Sequence, residues 1–177
     1  VGFDVGGLYT AQKGFPAERK KFKSLYTETS FEHQGETEKI CLVRPQTYMN
    51  LSGHAVRSFI GYFLKNLEKD LNENLLIIHD DMDLPEGKLR FKSNGSCGGH
   101  KGLRSILNHV GHDSFSRLKI GIGRDSQSET KDFVLERVTG KSREVLDQAV
   151  ERSCEGLTAW LYEGIEVCMD RFNQTED

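Results

Sequence analysis

The sequence predicts a single α/β domain, on three observations. Segments rich in aromatic and β-branched residues alternate with segments whose apolar residues recur at the helical spacing. A continuous apolar run, Leu75-Leu76-Ile77-Ile78, stops abruptly at His79, Asp80 and Asp81, the signature of a strand covered on both faces. The 177 residues, 36% hydrophobic and 29% charged with three prolines, carry no repeat or linker that would divide them, so residues 1–177 are read as one domain. At this length folding buries roughly 70% of the unfolded surface, and a core needs no disulfide or metal staple. The composition excludes a disordered or collagen-like chain. No apolar run approaches the ~18–20 residues of a membrane span. The first residue is Val1 rather than Met, so the sequence says nothing about a targeting segment.

In chain order, residues 22–29 (FKSLYTET) and 38–43 (EKICLV) read as two strands of a hairpin, with 30–37 as the turn between them. Ser52 is placed at the N-cap of a helix that carries Ala55, Val56, Phe59, Ile60, Phe63, Leu64 and Leu67 on its apolar face. The buried strand 75–78 follows, and ligands gather outside the carboxyl ends of such strands in open α/β sheets. Leu89 to Lys92 is a short strand. Gly102 to Val110 is a helix with Leu103, Ile106, Leu107 and Val110 inward, and Leu118, Ile120 and Ile122 alternate with polar or small residues in a further strand. From Ser142 to about Phe172 one or two closing helices are expected, with Gly156 and Gly164 as possible breaks.

The chain carries a formal net charge of -3, which excludes a uniformly basic surface but conceals a division. Between Lys88 and Arg124 stand Lys88, Arg90, Lys92, Lys101, Arg104, Arg117, Lys119 and Arg124 against the single acid Asp113, a net of +7 that leaves -10 elsewhere. A phosphate-rich partner is the natural cause of such a split. Lys88, Arg90 and Lys92 are two apart and share one strand face. A glycine-dense loop, Gly95-Ser96-Cys97-Gly98-Gly99-His100-Lys101-Gly102, feeds a helix and lets a ligand approach free backbone N–H groups. It matches neither the GxxxxGK[ST] nor the GxGxxG pattern, so nucleotide hydrolysis and dinucleotide binding lack their loops. His79-Asp80-Asp81-Met82-Asp83 offers metal-ligand atoms, but alternation sends Asp80 and Asp81 to opposite sides. An acid at a strand end also suits the orientation of a histidine that takes a proton. Cys41, Cys97, Cys154 and Cys168 form no Cys-x-x-Cys pair and read as ordinary buried thiols of a reducing compartment. No Gly-x-Ser-x-Gly elbow or Cys–His pairing points to covalent catalysis.

Four segments in this order resemble the bacterial-type peptidyl-tRNA hydrolases: RPQTYMNLSG (44–53), LIIHDDMDLPEGKLRFK (76–92), GGHKGLRSI (98–106) and FSRLKIGIGR (115–124). The resemblance implies a mixed twisted β-sheet with helices on both faces, acting as a cytoplasmic monomer without cofactor or metal. The implied reaction is hydrolysis of the ester between a peptide and the 3′ end of tRNA. Asp80 takes the place of the family's catalytic aspartate, Asn50 that of the asparagine that holds the peptide end and positions the carbonyl, and His100 that of a substrate-contacting histidine. Tyr48 and Met49 line the same cleft. Lys101 stands where the family commonly has asparagine, which replaces an amide contact with a cation suited to phosphate. Lys88, Arg90, Lys92 and Lys119 fall where the family grips the tRNA backbone.

The departure lies at the front. The family's first strand, its Gly-Asn-Pro-Gly turn and an Arg-His-Asn triplet, whose histidine is the general base, precede a segment like Val1-Gly2-Phe3. The base is therefore expected two positions before Val1, and the 177 residues are expected to lack both it and a core strand. Loss of activity and exposure of two sheet edges follow as expectations. A non-catalytic RNA-binding protein on the same scaffold, of the kind found in organelle RNA splicing, is the alternative function, and a metalloenzyme using residues 79–83 a third.

Overall fold

The computed structural model describes residues 1–65, 70–124 and 140–174. It opens with a helix that the sequence pattern did not announce, α1 (Gly2–Gln12). Three glycines weaken this segment's helix propensity, and tertiary burial of Val5 and Tyr9 holds it. Strands β1 (Arg19–Lys21), β2 (Ser24–His33) and β3 (Glu36–Pro45) form an antiparallel sheet in that order.

The hairpin between β2 and β3 is longer than its sequence suggests. Ser24 pairs with Pro45 and His33 with Glu36, so residues 30–33 and 36–37 are strand and the turn shrinks to Gln34-Gly35, both with positive φ. All of these outer residues but Phe31 are polar, which disguises the ribbon as a loop. The short β1 was missed as well. It joins β2 through Phe22-Lys23, again two residues at positive φ, which suits the twist of a two-residue hairpin loop.

A short 3₁₀ turn (Met49–Leu51) then runs straight into α2 (Ser52–Phe63). The expected Ser52 cap is not made. Ser52 is the first helical residue, and its hydroxyl donates back to the Met49 carbonyl at 2.9 Å because the preceding turn already continues into the helix. Ala55, Phe59 and Ile60 are buried as expected, and Leu67 lies outside the described residues.

After the single turn α3 (Leu71–Asn74) come β4 (Leu76–Asp81), β5 (Leu89–Lys92), α4 (Lys101–Val110) and β6 (Ser116–Gly121). They build a mixed sheet of order β4-β6-β5, with β4 parallel and β5 antiparallel to β6. The chain closes with α5 (Lys141–Phe172), broken at Gly164, where φ is 82° and ψ 178°. Gly156 is not a break. Its missing Cβ lets the helix lie on Phe91, whose ring a methyl group would meet at 2.7 Å.

Alternation along β4, β5 and β6 divides the interior into two layers. Leu76, Ile78, Leu89, Phe91, Leu118 and Ile120 face α1 and α5, together with Ile40 and Leu42 of β3. On the other face Ile77 meets Ile60, Leu71, Leu103, Ile106 and Phe115. Helices thus cover both faces of the mixed sheet. The first three strands stand as a separate sheet, and β3 and β4 each keep one edge without a strand partner among the described residues. This open edge leaves Leu76, Ile77 and Ile78 half-buried rather than fully covered. The segment α1 packs on both β3 and β4: Gly6 lies against Leu42, and a Cβ on Gly2 would be 3.0 Å from the Ile78 carbonyl oxygen.

Candidate active site

The carboxyl end of β4 presents its acids to opposite sides. Asp81 shares a face with Lys119, the cross-strand partner of its neighbour His79, and the Lys119 ammonium donates to its carboxylate at 2.6 Å. Burial alone would raise the Asp81 pKa, but the Lys119 ammonium and the Asp83 amide outweigh it and hold the carboxyl below its ordinary range. Asp83 pairs with Arg124. Asp80 continues the row of Leu76 and Ile78 and is half-buried; the start of α1 meets β4 just before it, where a Cβ on Gly2 would come within 3.9 Å of His79 Cα. With Asp81 and Asp83 committed to cations and Asp80 on the far side, the acids of 79–83 diverge instead of converging on an ion.

His79, which the sequence offered only as a metal-ligand atom, stands beside the candidate site. Only 7% exposed, it donates Nδ1–H to the Asp80 carbonyl at 2.7 Å, which leaves an Nε2 lone pair buried with no partner among the described residues. Burial pushes its pKa down to about 4, so the ring is neutral at pH 7. Its ring packs against His100 with centroids 4.9 Å apart. The signal was present in the parity of residues 79 and 119, but the β4–β6 register was needed to read it.

His100 caps α4, where its Nδ1 accepts the Leu103 N–H at 3.1 Å. Its neutral form therefore carries the proton on Nε2, as a donor. Gly102 permits the next contact: a Cβ there would be 2.7 Å from Met49 Sδ and 3.0 Å from His100 Cε1. Met49, His100 and His79 thus form one contiguous group. Met49 remains 53% exposed and Tyr48 83% exposed, its phenol turned to solvent. Asn50, in the same 3₁₀ turn, is exposed and makes no side-chain hydrogen bond to another described residue, which leaves its amide available. Lys101 is exposed at the first position of α4.

The basic face is smaller than the residue count suggested. Arg117 is fully buried, so it does not belong to the face at all. Its guanidinium lies over Phe115 and reaches the Ser96 and Asp113 carbonyls at 3.4 Å, bracing the glycine loop from below. Charge counting cannot separate such a strut from a surface cation. Lys119 is tied to Asp81 and Arg124 to Asp83. Arg90 is the cross-strand partner of Lys119 and Lys92 that of Arg117, so both stand on the His79 face of the sheet, with Lys88 just ahead at the same parity.

All four cysteines are free. Cys154 and Cys168 are buried, and Cys41 is half-buried. Burial pushes these thiols up, Cys41 to about 12 and the other two to about 11. Cys97 departs from the expectation of a buried thiol: in the glycine loop, the Gly99 amide and the Arg104 guanidinium lower its pKa.

Known proteins match this chain over almost its whole length. The family described as peptidyl-tRNA hydrolase matches residues 1–177. A peptidyl-tRNA hydrolase of Shouchella clausii is 37% identical over 174 residues, 98% of this chain and 89% of the relative. One from Carboxydothermus hydrogenoformans is 39% identical over 176 residues, with 98% and 88% covered. Among solved structures, a peptidyl-tRNA hydrolase in complex with N-propanol superposes with a TM-score of 0.83 at 28% identity, covering 97% of this chain and 84% of that one. The Acinetobacter baumannii enzyme gives a TM-score of 0.82 at 27% identity, with 97% and 83% covered.

Proposed function

The chain belongs to the peptidyl-tRNA hydrolase family, and we propose that the groups gathered at the carboxyl end of β4 carry its reaction. That reaction is hydrolysis of the ester between a peptide and the 3′ oxygen of tRNA. Water attacks the ester carbonyl carbon, the bond to the ribose oxygen breaks, and the ribose hydroxyl and the peptide carboxylate are released. Asp80 is assigned to polarise the general base and its water. Asp80 faces the side of β4 opposite Asp81 and has no cation partner among the described residues, which supports the assignment. Asn50 is assigned to the peptide end and the reacting carbonyl, where a free amide can donate to oxygen as charge develops. His100 donates Nε2–H to the substrate while Leu103 fixes its tautomer. Met49 and Tyr48 offer apolar surface to the aminoacyl end.

The tRNA backbone is assigned to Lys88, Arg90 and Lys92, with Lys101 taking a phosphate near the 3′ end. Lys119 contributes less to this grip than the sequence suggested, because its charge is held by Asp81. The reading includes a monomer acting in the cytoplasm without a cofactor. No described helix is long and apolar enough to cross a membrane.

The observation that carries the reading is the separation of Asp80 from Asp81 across β4, one acid neutralised by lysine and the other left without a cation partner among the described residues. Single-turnover hydrolysis of peptidyl-tRNA, measured beside tRNA affinity, tests it. Asp80→Ala should abolish hydrolysis and leave affinity within about twofold, since the cost falls on transition-state interactions alone. A parallel fall in affinity would favour RNA binding without catalysis.

A further inference from the structure

Helices α2 and α4 cross with their backbones almost in contact. The Gly53 N–H donates to Ser105 Oγ at 3.0 Å, and a Cβ on Gly53 would lie 2.5 Å from the Ser105 carbonyl carbon. This crossing brings two imidazoles together, His54 on α2 and His109 on α4, with Nε2 atoms 3.2 Å apart. Their ring centroids are only 4.0 Å apart, less than a head-on N–H···N bond would allow. The helix crossing, rather than a well-aligned hydrogen bond, therefore sets the pair's geometry.

The geometry points to a binding site for a divalent transition ion of the zinc, nickel or copper class, held by His54 Nε2 and His109 Nε2. Zinc–imidazole bonds of ~2.0–2.1 Å in a tetrahedral shell put two ligand nitrogens roughly 3.3 Å apart, so the nitrogens stand at ligand spacing, and the exposed His54 ring must turn away from His109 for both lone pairs to converge on one ion. His109 Nδ1–H donates to the Ser105 carbonyl at 2.7 Å, the outer-shell bond that fixes a metal-ligating histidine with its Nε2 lone pair outward. In the metal-free pair His54 must supply the proton between the two Nε2 atoms. On binding, that proton moves to His54 Nδ1 through solvent, and the ion takes its place.

His54 is exposed and His109 half-buried, so an ion reaches the site directly and water fills its remaining positions. Among the described residues no three His, Cys, Asp or Glu converge, which makes this a two-imidazole site. Imidazole ligands select this class over calcium or magnesium. The ion would tie together the helix that follows Met49 and Asn50 and the helix that His100 caps.

Titration of zinc chloride into the chain by calorimetry, with thermal unfolding in parallel, tests the site. One equivalent should bind and raise the unfolding midpoint, as any ligand selective for the folded state does. His54→Ala removes an exposed ligand without touching the core. It should weaken binding by about tenfold or more, on the scale of a lost metal-site contact, and cancel the rise in midpoint. His112→Ala should change neither. Zinc binding that survives His54→Ala unchanged, or no binding by the unaltered chain, overturns the assignment.

Discussion

Replacing Gly53 by alanine tests whether α2 and α4 are clamped backbone to backbone. The added Cβ would lie 2.5 Å from the Ser105 carbonyl carbon and 2.7 Å from His109 Nδ1, and nearer still to the Ser105 oxygen. Carbon atoms in good contact stand ~3.5–4.0 Å apart, so α2 must retreat by on the order of 1 Å. Such a retreat stretches the bond from the Gly53 N–H to Ser105 Oγ and strands a donor in a buried position. Overpacking of this kind costs ~1–3 kcal/mol, and the lost hydrogen bond ~0.5–1.5 kcal/mol. Alanine's better helix propensity returns at most ~1 kcal/mol.

The expected net loss is about 1–3 kcal/mol. That is a large share of the ~5–15 kcal/mol typical of a domain. Urea unfolding followed by circular dichroism measures it as a fall in midpoint at constant slope. Gly61→Ala is the control, because it makes the same substitution in the same helix at a position with no atom within 4 Å of the new Cβ. It should stabilise by up to ~1 kcal/mol. If Gly53→Ala unfolds at or above the unaltered midpoint while Gly61→Ala behaves as expected, the two backbones are not clamped, and the placement of Met49 against Gly102 loses its support.

Two further outcomes follow from the site. His79 binds its proton near pH 6.5 when unfolded and near 4 when folded, so the unfolded state holds more protons between those values and stability falls as pH drops through that window. The fall amounts to about 3 kcal/mol across the whole window and about 2 kcal/mol by pH 5; His79→Gln should flatten it in urea unfolding at pH 7, 6 and 5, and equal slopes for both proteins would remove the buried, neutral ring from the account. Arg117→Leu withdraws the strut beneath residues 93–99, so limited proteolysis should cut that loop faster, and an unchanged cleavage pattern would count against a bracing role.

What the sequence made legible was whatever depends on local periodicity. The apolar spacing of Leu103 and Ile106 located α4 to within a residue, and the abrupt end of the run 75–78 located the acids. The opposite faces of Asp80 and Asp81 followed from strand geometry alone. What escaped depends on tertiary partners. Helix α1 contains glycines that argue against a helix, and only the burial of Val5 and Tyr9 sustains it. Burial depth separates Arg117 from its basic neighbours, and depth leaves no trace in a charge count. The pairing of Lys119 with Asp81 requires the β4–β6 register, which no single segment encodes.

The missing Cβ atoms connect these two kinds of information. Three glycines let backbone meet a neighbour around the end of β4: Gly2 brings α1 onto the Ile78 carbonyl, Gly53 brings α2 onto Ser105, and Gly102 brings α4 under Met49 and His100. Each joins a different element that carries a candidate group. A side chain at any of them would move that group by the size of a methyl, and displacements near 1 Å are large compared with the tolerance of a catalytic arrangement. The positions of Asp80, Asn50 and His100 relative to one another are therefore set less by hydrogen bonds among themselves than by how closely four backbone segments approach. That accounts for a site whose assigned polar groups, Asn50 and Asp80, make no side-chain bonds to described residues and remain free to meet a substrate.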